Sequence, residues 1–167
     1  MLKLKSQILV VDPRFFGLED KHVEGKRASV VEEHYDQVEA IALAGPAPLD
    51  VKVAFDRARN IFIYAWYCYE LLVVCETQAF AALELALRTR LDGLQLNKNG
   101  GLDHLFKQAI LVGVLPAIDN RRVAKLIALR NKLAHGDLEI HTPKMALQLL
   151  LQCATIIDQL LEPGKSD

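Results

Sequence analysis

Apolar residues recur at helical spacing through most of the chain, and the alternating runs typical of β-strands are nearly absent. Between Asp50 and Asp92 there is neither glycine nor proline, which predicts either one very long helix or two helices joined by a kink. The segment DGLQLNKNGG, rich in glycine and asparagine, ends this region, and a shorter helix is predicted over 102–112. The pattern predicts an all-α bundle.

Capping residues set the expected ends of two further helices. One is predicted to begin with Asp119 or Asn120 as its N-cap and to end at Gly136. The other is predicted to begin with Thr142 as its N-cap, with a proline at the first helical position, and to run to about Leu161. Both helices belong to the predicted bundle.

The first part of the chain has a different pattern. The segment SVVE, which starts at Ser29, is a capping box and predicts a single helix before the loop GPAPLD. We therefore divide the chain into an N-terminal extension with one helix over 1–48, the helical bundle over 49–162 and a tail over 163–167.

Composition limits the classes of protein that this pattern can represent. With 167 residues, 51% of them hydrophobic, the chain is long enough for one domain with a proper core, and we expect part of its apolar surface to be buried between subunits. A net charge of −1 argues against a broad electrostatic surface for nucleic acid but leaves a local basic site open. Three cysteines without a CxxC spacing fit reduced thiols, so a cytoplasmic location is expected.

The most apolar run of the chain is IFIYAWYCYELLVV, over 61–74. It is interrupted by Glu70 and is shorter than the roughly 20 residues that a membrane-spanning helix needs. We interpret it as a helix buried in the core, and we predict no membrane contact. A site for an apolar ligand among its aromatic side chains is a remaining alternative.

A charged residue interrupts the apolar face of the helix that follows Asn120. Arg130 falls near the middle of the arc formed by Val123, Leu126, Ile127, Leu133 and Ala134. A charge on a core face is costly unless it is paired. Glu84 occupies the same kind of position on its own helix, so we expect the two side chains to form an ion pair if their helices face each other. Such a pair can be purely structural, or it can support a functional site.

The residues that follow Arg130 indicate chemistry at this helix end. His135 is five positions further on, in the last turn before a helix-ending glycine, and Asn131 lies one turn before His135 on the same face. Histidine titrates close to neutral pH and therefore suits proton transfer. An arginine, an asparagine and a histidine at one helix end form a candidate catalytic group.

The segment RNKLAH, residues 130–135, resembles the R-x4-H motif of the HEPN superfamily, including the polar residue after the arginine. The order of a long helix containing FAALELALRTRL, a short helix, the ALRNKLAHG helix and a closing helix is also similar to HEPN proteins, over about residues 50–162. This resemblance implies a four-helix, up-and-down domain that commonly dimerises and often acts as a metal-independent endoribonuclease. It implies that His135 is the general acid or base, that Arg130 holds the scissile phosphate, and that Asn131 orients the phosphate or the histidine.

For this chain the resemblance implies cleavage of single-stranded RNA to 2′,3′-cyclic phosphate ends by a homodimer whose two copies share one cleft. It also implies a role as a toxin or defence effector, with an antitoxin or regulatory protein as a partner. In the branch whose antitoxin is a nucleotidyltransferase, a tyrosine often follows the motif histidine by two residues, whereas this chain has Asp137 there. The alternative is a catalytically inactive HEPN-like module for interaction or nucleotide sensing.

Further polar residues near the motif have open interpretations. Lys132 and Arg121, on the same helix, either contact RNA phosphates or form part of a solvated face. His141 follows the motif by six residues, and together with His135 it could suggest a metal site. No nearby cysteine or acidic pair has ligand spacing, so we predict neither a metal nor another cofactor.

Overall fold

The computed structural model describes residues 3–15, 31–115, 120–135 and 141–162. Within these ranges the chain has no β-strand, which confirms the all-α prediction. Two single-turn 3₁₀ helices occur near the N-terminus, at Lys5–Gln7 and Pro13–Phe15. The described ranges contain six α-helices: α1 (Val31–Glu39), α2 (Leu49–Ala65), α3 (Leu71–Gly93), α4 (Leu102–Leu111), α5 (Asn120–Ala134) and α6 (Pro143–Leu161).

Several residues that carried predictions lie outside the described ranges. They are the capping-box residue Ser29, the alternative N-cap Asp119, the helix-ending Gly136, the departure from the family pattern at Asp137, and the tail 163–167.

The region without glycine or proline forms two helices, α2 and α3, as the second alternative predicted, but a turn that reverses the chain joins them in place of a kink. The break covers residues 66–70 and falls inside the apolar run that we interpreted as one buried helix, so that interpretation is wrong. The turn is closed by backbone hydrogen bonds from Cys68 N–H to the Ala65 carbonyl at 3.0 Å and from Leu71 N–H to the Cys68 carbonyl at 2.9 Å. A turn this short folds α3 back along α2.

The N-terminal segment 3–15 packs against this turn and stabilises it. The backbone N–H of Asp12 donates to the Trp66 carbonyl at 2.9 Å, and the Asp12 carboxylate accepts from the Tyr69 backbone N–H at 3.2 Å. The Arg14 side chain bridges Asp12 and Glu70, with its Nη2 2.9 Å from Asp12 Oδ2 and 2.6 Å from Glu70 Oε1. The N-terminal segment therefore satisfies polar groups that the turn leaves without partners in its own backbone.

Asp12 makes this contact dependent on pH. Hydrogen bonds from the Arg14 side chain, with smaller contributions from the backbone N–H groups of Arg14 and Tyr69, lower the pKa of Asp12 from 3.8 to about 2, against burial, which raises it. A carboxyl group whose pKa is lowered on folding stabilises the fold above its unfolded pKa and loses that contribution as the pH falls through the folded value.

We therefore expect the Asp12→Asn variant to lose about 2 kcal/mol of unfolding free energy at pH 7, since it gives up this pKa difference. The difference from the wild type should shrink between pH 4 and pH 2, where the wild-type carboxyl becomes protonated. Urea unfolding at several pH values measures both effects, and Asp36→Asn, at an exposed position of α1, is the matched control. Equal stability of Asp12→Asn and the wild type at pH 7 would contradict the expectation.

The helix of the N-terminal extension, α1, packs on α2 through an aromatic cluster. The His34 ring stacks on Phe62 with centroids 4.3 Å apart, and its Nε2 lies 2.7 Å from the Phe62 carbonyl oxygen. Phe15 lies against His34, Trp66 and Tyr69, at centroid distances of 5.2, 4.9 and 5.2 Å. The extension thus contributes to the same hydrophobic core as the helices that follow it.

Helix α3 is central to the fold, because it contacts α2, α4, α5 and α6. Its buried residues extend from Leu72 to Leu91, and its most extensive packing is against α2 and α6. Helix α6 begins as predicted, with the Thr142 hydroxyl accepting from the Met145 backbone N–H at 3.3 Å and Pro143 in the first turn. None of the helices in the described ranges combines the length and apolar character that crossing a membrane requires.

Candidate functional site

Helix α5 places Arg130 against α3. Val123 and Leu126 are buried on the inner face of α5, at 7% and 3% exposure, and they fix the rotation of the helix so that Arg130 points toward Glu84. Arg130 Nε donates to Glu84 Oε1 at 3.0 Å, and Arg130 Nη2 lies 3.0 Å from the same oxygen. The ion pair that the two interrupted apolar faces indicated is therefore present.

The pair lies at the edge of the core rather than inside it. The Arg130 side chain is 35% exposed and the Glu84 side chain 18%. Solvent can therefore reach the guanidinium while its carboxylate partner is mostly covered. This is the placement that allows an arginine to be held from one side and to bind an anion from the other.

A second guanidinium reaches the same carboxylate. Arg88 Nη2 lies 3.8 Å from Glu84 Oε2 and donates to the Gly100 carbonyl at 2.8 Å, and Arg88 Nη1 donates to the Lys98 carbonyl. Arg88 thus connects the Glu84–Arg130 pair to the loop between α3 and α4. Sequence reasoning missed it, although Glu84 and Arg88 have the i, i+4 spacing typical of a helical ion pair.

Asn131 lies beside the guanidinium on the exposed side of α5. Its Oδ1 accepts from Arg130 Nη1 at 3.5 Å, which is at the outer limit of a hydrogen bond. The structure therefore brings Glu84, Arg130 and Asn131 together in one chain of contacts.

His135 occupies the exposed end of α5. Its backbone N–H bonds to the carbonyls of Asn131 and Lys132, at 3.0 and 3.2 Å, which continues the helical pattern to the last described residue of this range. Within the described part of the chain, no hydrogen bond links its imidazole to Arg130 or Asn131. Five residues separate Arg130 from His135, about 7.5 Å along the axis and about 140° around it, so the two side chains diverge on a single helix.

Lys132 and Arg121 are both exposed, in the last and first turns of α5. With Arg130 they place positive charge along the length of this helix. Whether they contact phosphate stays a prediction.

A second pair of ionisable residues connects α3 to the start of α6. His141 Nδ1 lies 2.7 Å from Glu76 Oε1, and the two residues are only 7% and 0% exposed. Burial raises the pKa of Glu76, and the hydrogen bond with His141 opposes part of that effect. In the ranges that the structure describes, no three histidine, cysteine or acidic residues are placed to hold a metal ion.

Sequence reasoning considered His141 only as a metal ligand and did not find its partner. Polar residues recur along α3, so the sequence alone does not show that Glu76 is the one whose carboxylate lies in the core. The signal that could have identified it is the spacing of Glu76 four residues after Leu72 and four residues before Phe80, which places the carboxylate on the apolar face of α3.

Neither a family model, nor a curated protein, nor a solved structure matches the chain. The fold and the geometry define the class as an all-helical protein with an edge-exposed arginine held by a glutamate. The resemblance to the HEPN superfamily rests on the motif at residues 130–135 and on the order of the helices.

Proposed function

We propose that this protein is a metal-independent endoribonuclease of the HEPN type, which cuts single-stranded RNA and leaves 2′,3′-cyclic phosphate ends. The observation that carries the proposal is the placement of Arg130, the first residue of the motif. Its guanidinium is held by Glu84 on one side and exposed on the other, and His135 lies at the open end of the same helix.

The contacts of Arg130 leave donors for a phosphate. A guanidinium has five N–H groups in one plane. Glu84 accepts from Nε and lies beside Nη2, whereas the contact of Nη1 within the described residues is the long one with Asn131. The outer edge of the guanidinium can therefore bind two non-bridging oxygens of the scissile phosphate and stabilise the charge that they gain in the transition state.

RNA supplies its own nucleophile, the 2′-hydroxyl, so the protein needs only to position the phosphate, transfer protons and stabilise charge. His135 transfers a proton to or from the reacting oxygens, and Asn131 orients the phosphate or the histidine. Lys132 and Arg121 contact flanking phosphates on either side of the cut. No step requires a metal ion.

Arg130 and His135 point in different directions on one helix, but in a homodimer the two residues of one site come from different copies. We propose a four-helix, up-and-down arrangement of the bundle in which two copies form one cleft, so that the arginine of one copy acts beside the histidine of the other. We further propose that the protein works in the cytoplasm as a toxin or defence effector that an antitoxin or regulatory protein holds in check.

The purified protein is expected to cut a labelled single-stranded RNA equally well with and without excess EDTA. The products should resist phosphatase until acid opens the cyclic phosphate, and they should be joined by a ligase that uses 2′,3′-cyclic phosphate ends. The Arg130→Ala/His135→Ala double variant, purified in the same way, is the control for contaminating nucleases. Loss of cleavage on chelation, or 3′-hydroxyl products, would refute the mechanism.

A catalytically inactive interaction or nucleotide-sensing module is the second candidate, and the Glu84 contact favours it because the carboxylate already neutralises the Arg130 charge. In that case Arg130→Ala lowers only the stability, by about 1–2 kcal/mol for an ion pair at the edge of the core. In the nuclease the same substitution also lowers kcat. Arg130→Lys separates the two further, since it keeps the charge but loses the planar donors that bind phosphate.

A further inference from the structure

Two carboxylates of α3 contact the residues on either side of the α5–α6 connection. Glu84 binds Arg130 of α5, and Glu76 binds His141, the residue before the N-cap of α6. The two glutamates are eight positions apart, which is about 12 Å along the helix. His135 and His141 therefore lie on either side of this connection. On each side, a glutamate of α3 contacts one residue.

The Glu76–His141 contact holds the imidazole in one orientation. Nδ1 is the nitrogen that faces the carboxylate, at 2.7 Å, so Nε2 is the nitrogen left for other chemistry. No hydrogen bond to Nε2 is formed within the described residues, and 9% of the His141 side chain is exposed. Glu76 Oε2 is buried and has no hydrogen-bond partner among the residues that the structure describes, so the bond to His141 is the one that the Glu76 side chain makes there.

A buried carboxylate bonded to Nδ1 does three things to a histidine. It fixes the ring, it selects the tautomer with the proton on Nδ1, and it stabilises the positive charge that forms when Nε2 accepts a proton. In the part of the chain that the structure describes, the other titratable groups that interact with Glu76 are the thiols of Cys75 on α3 and Cys153 on α6. Burial raises the pKa of both thiols, that of Cys153 to about 12, so they are neutral at physiological pH. Among the described residues, Glu76 is therefore the charged group that contacts the imidazole.

We propose that the Glu76–His141 pair is a second proton-transfer group of this protein, with His141 Nε2 as a general base and Glu76 as its positioning residue. The proposal rests on the ribonuclease function and assigns the two proton transfers that the reaction needs. His141 Nε2 removes the proton of the 2′-hydroxyl, the 2′-oxygen bonds to phosphorus, and the bond from phosphorus to the 5′-oxygen breaks. His135 gives its proton to the leaving 5′-oxygen.

The orientation of His141 can be measured without any RNA. Long-range ¹⁵N–¹H NMR spectra of the wild-type protein, assigned with His141→Gln, should show His141 with its proton on Nδ1 and a bare Nε2 at pH 8. Diethylpyrocarbonate should modify that nitrogen. A neutral His141 with its proton on Nε2, or one that resists modification under conditions that modify His135, would overturn the proposal.

Variants test the role in cleavage. His141→Gln is expected to lower kcat by about 10²-fold or more, and Glu76→Gln by at least about 10-fold. In Glu76→Gln the fall in rate on the acid side of the pH profile should move to lower pH, a change that a merely structural role would not produce. His104→Gln, a histidine of α4 outside both pairs, is the matched control. Thermal melting identifies any variant that fails to fold.

The two proposals fail in different ways. Folded His141→Gln that cleaves within threefold of the wild type overturns the role of His141 and leaves the ribonuclease standing. A wild-type protein that cleaves no RNA, but whose NMR spectrum and modification show the oriented imidazole, overturns the ribonuclease and supports His141 as a base for another substrate.

Discussion

Replacing His135 with alanine is expected to lower kcat for RNA cleavage by about 10²- to 10⁴-fold, the usual contribution of a general acid or base. The fold should be nearly unaffected, within about 0.5 kcal/mol, because the side chain is exposed and makes no hydrogen bond in the described part of the chain. Single-turnover cleavage of a labelled RNA in EDTA measures the rate, and urea unfolding measures the stability. An unchanged rate in the folded variant would exclude His135 from the mechanism.

Mixing two inactive variants tests whether the cleft is shared. Arg130→Ala and His135→Ala are each expected to be inactive, but after mixing and exchange of subunits half of the dimers contain one of each. If the arginine and histidine of a site come from different copies, one of the two sites in such a dimer is intact, and the mixture should recover about a quarter of the wild-type activity. No recovery, with mixed dimers demonstrated, would place each site within one chain.

The largest effect on stability is expected from removing His141. His141→Leu leaves Glu76 buried without a partner, which costs about 3–5 kcal/mol of unfolding free energy at neutral pH. Burial already raises the pKa of Glu76 in the wild type, and losing the contact with His141 raises it further. A carboxyl group with a raised folded pKa destabilises the fold progressively as the pH rises above its unfolded value, so the variant should regain stability as the pH falls toward 4.5.

The Glu76→Leu/His141→Leu double variant is expected to recover most of the loss, because two apolar side chains of similar volume replace the buried pair. Urea unfolding of the wild type, the two single variants and the double variant forms a complete cycle, which isolates the energy of the pair. A double variant less stable than His141→Leu would show that packing around these residues, rather than the unpaired charge, sets the cost.

Much of the helical pattern and one part of the site could be predicted from sequence. Helices α5 and α6 have clear apolar faces, and α6 begins at its predicted cap, Thr142. Asn120 is the first residue of α5 rather than its N-cap, and the alternative cap Asp119 and the helix-ending Gly136 lie outside the described residues. The Glu84–Arg130 contact could be anticipated because each charge interrupts an apolar face, and burying either alone would be costly. Glu76 could not be matched to His141, because α3 packs against several helices and its sequence does not show which neighbouring segment supplies a partner.

The sequence by itself determined that the chain is helical, where α6 begins and that Arg130 needs a carboxylate partner, because periodicity, caps and buried charges act through neighbouring residues or through a single face. Only the tertiary structure decided where the long region between Asp50 and Asp92 breaks. No glycine or proline marks residues 66–70. The local hydrogen bonds of the turn are supplemented by Asp12 of the N-terminal segment, which bonds to backbone groups of Trp66 and Tyr69 from more than 50 residues away in the chain, so a local pattern does not reveal this stabilisation.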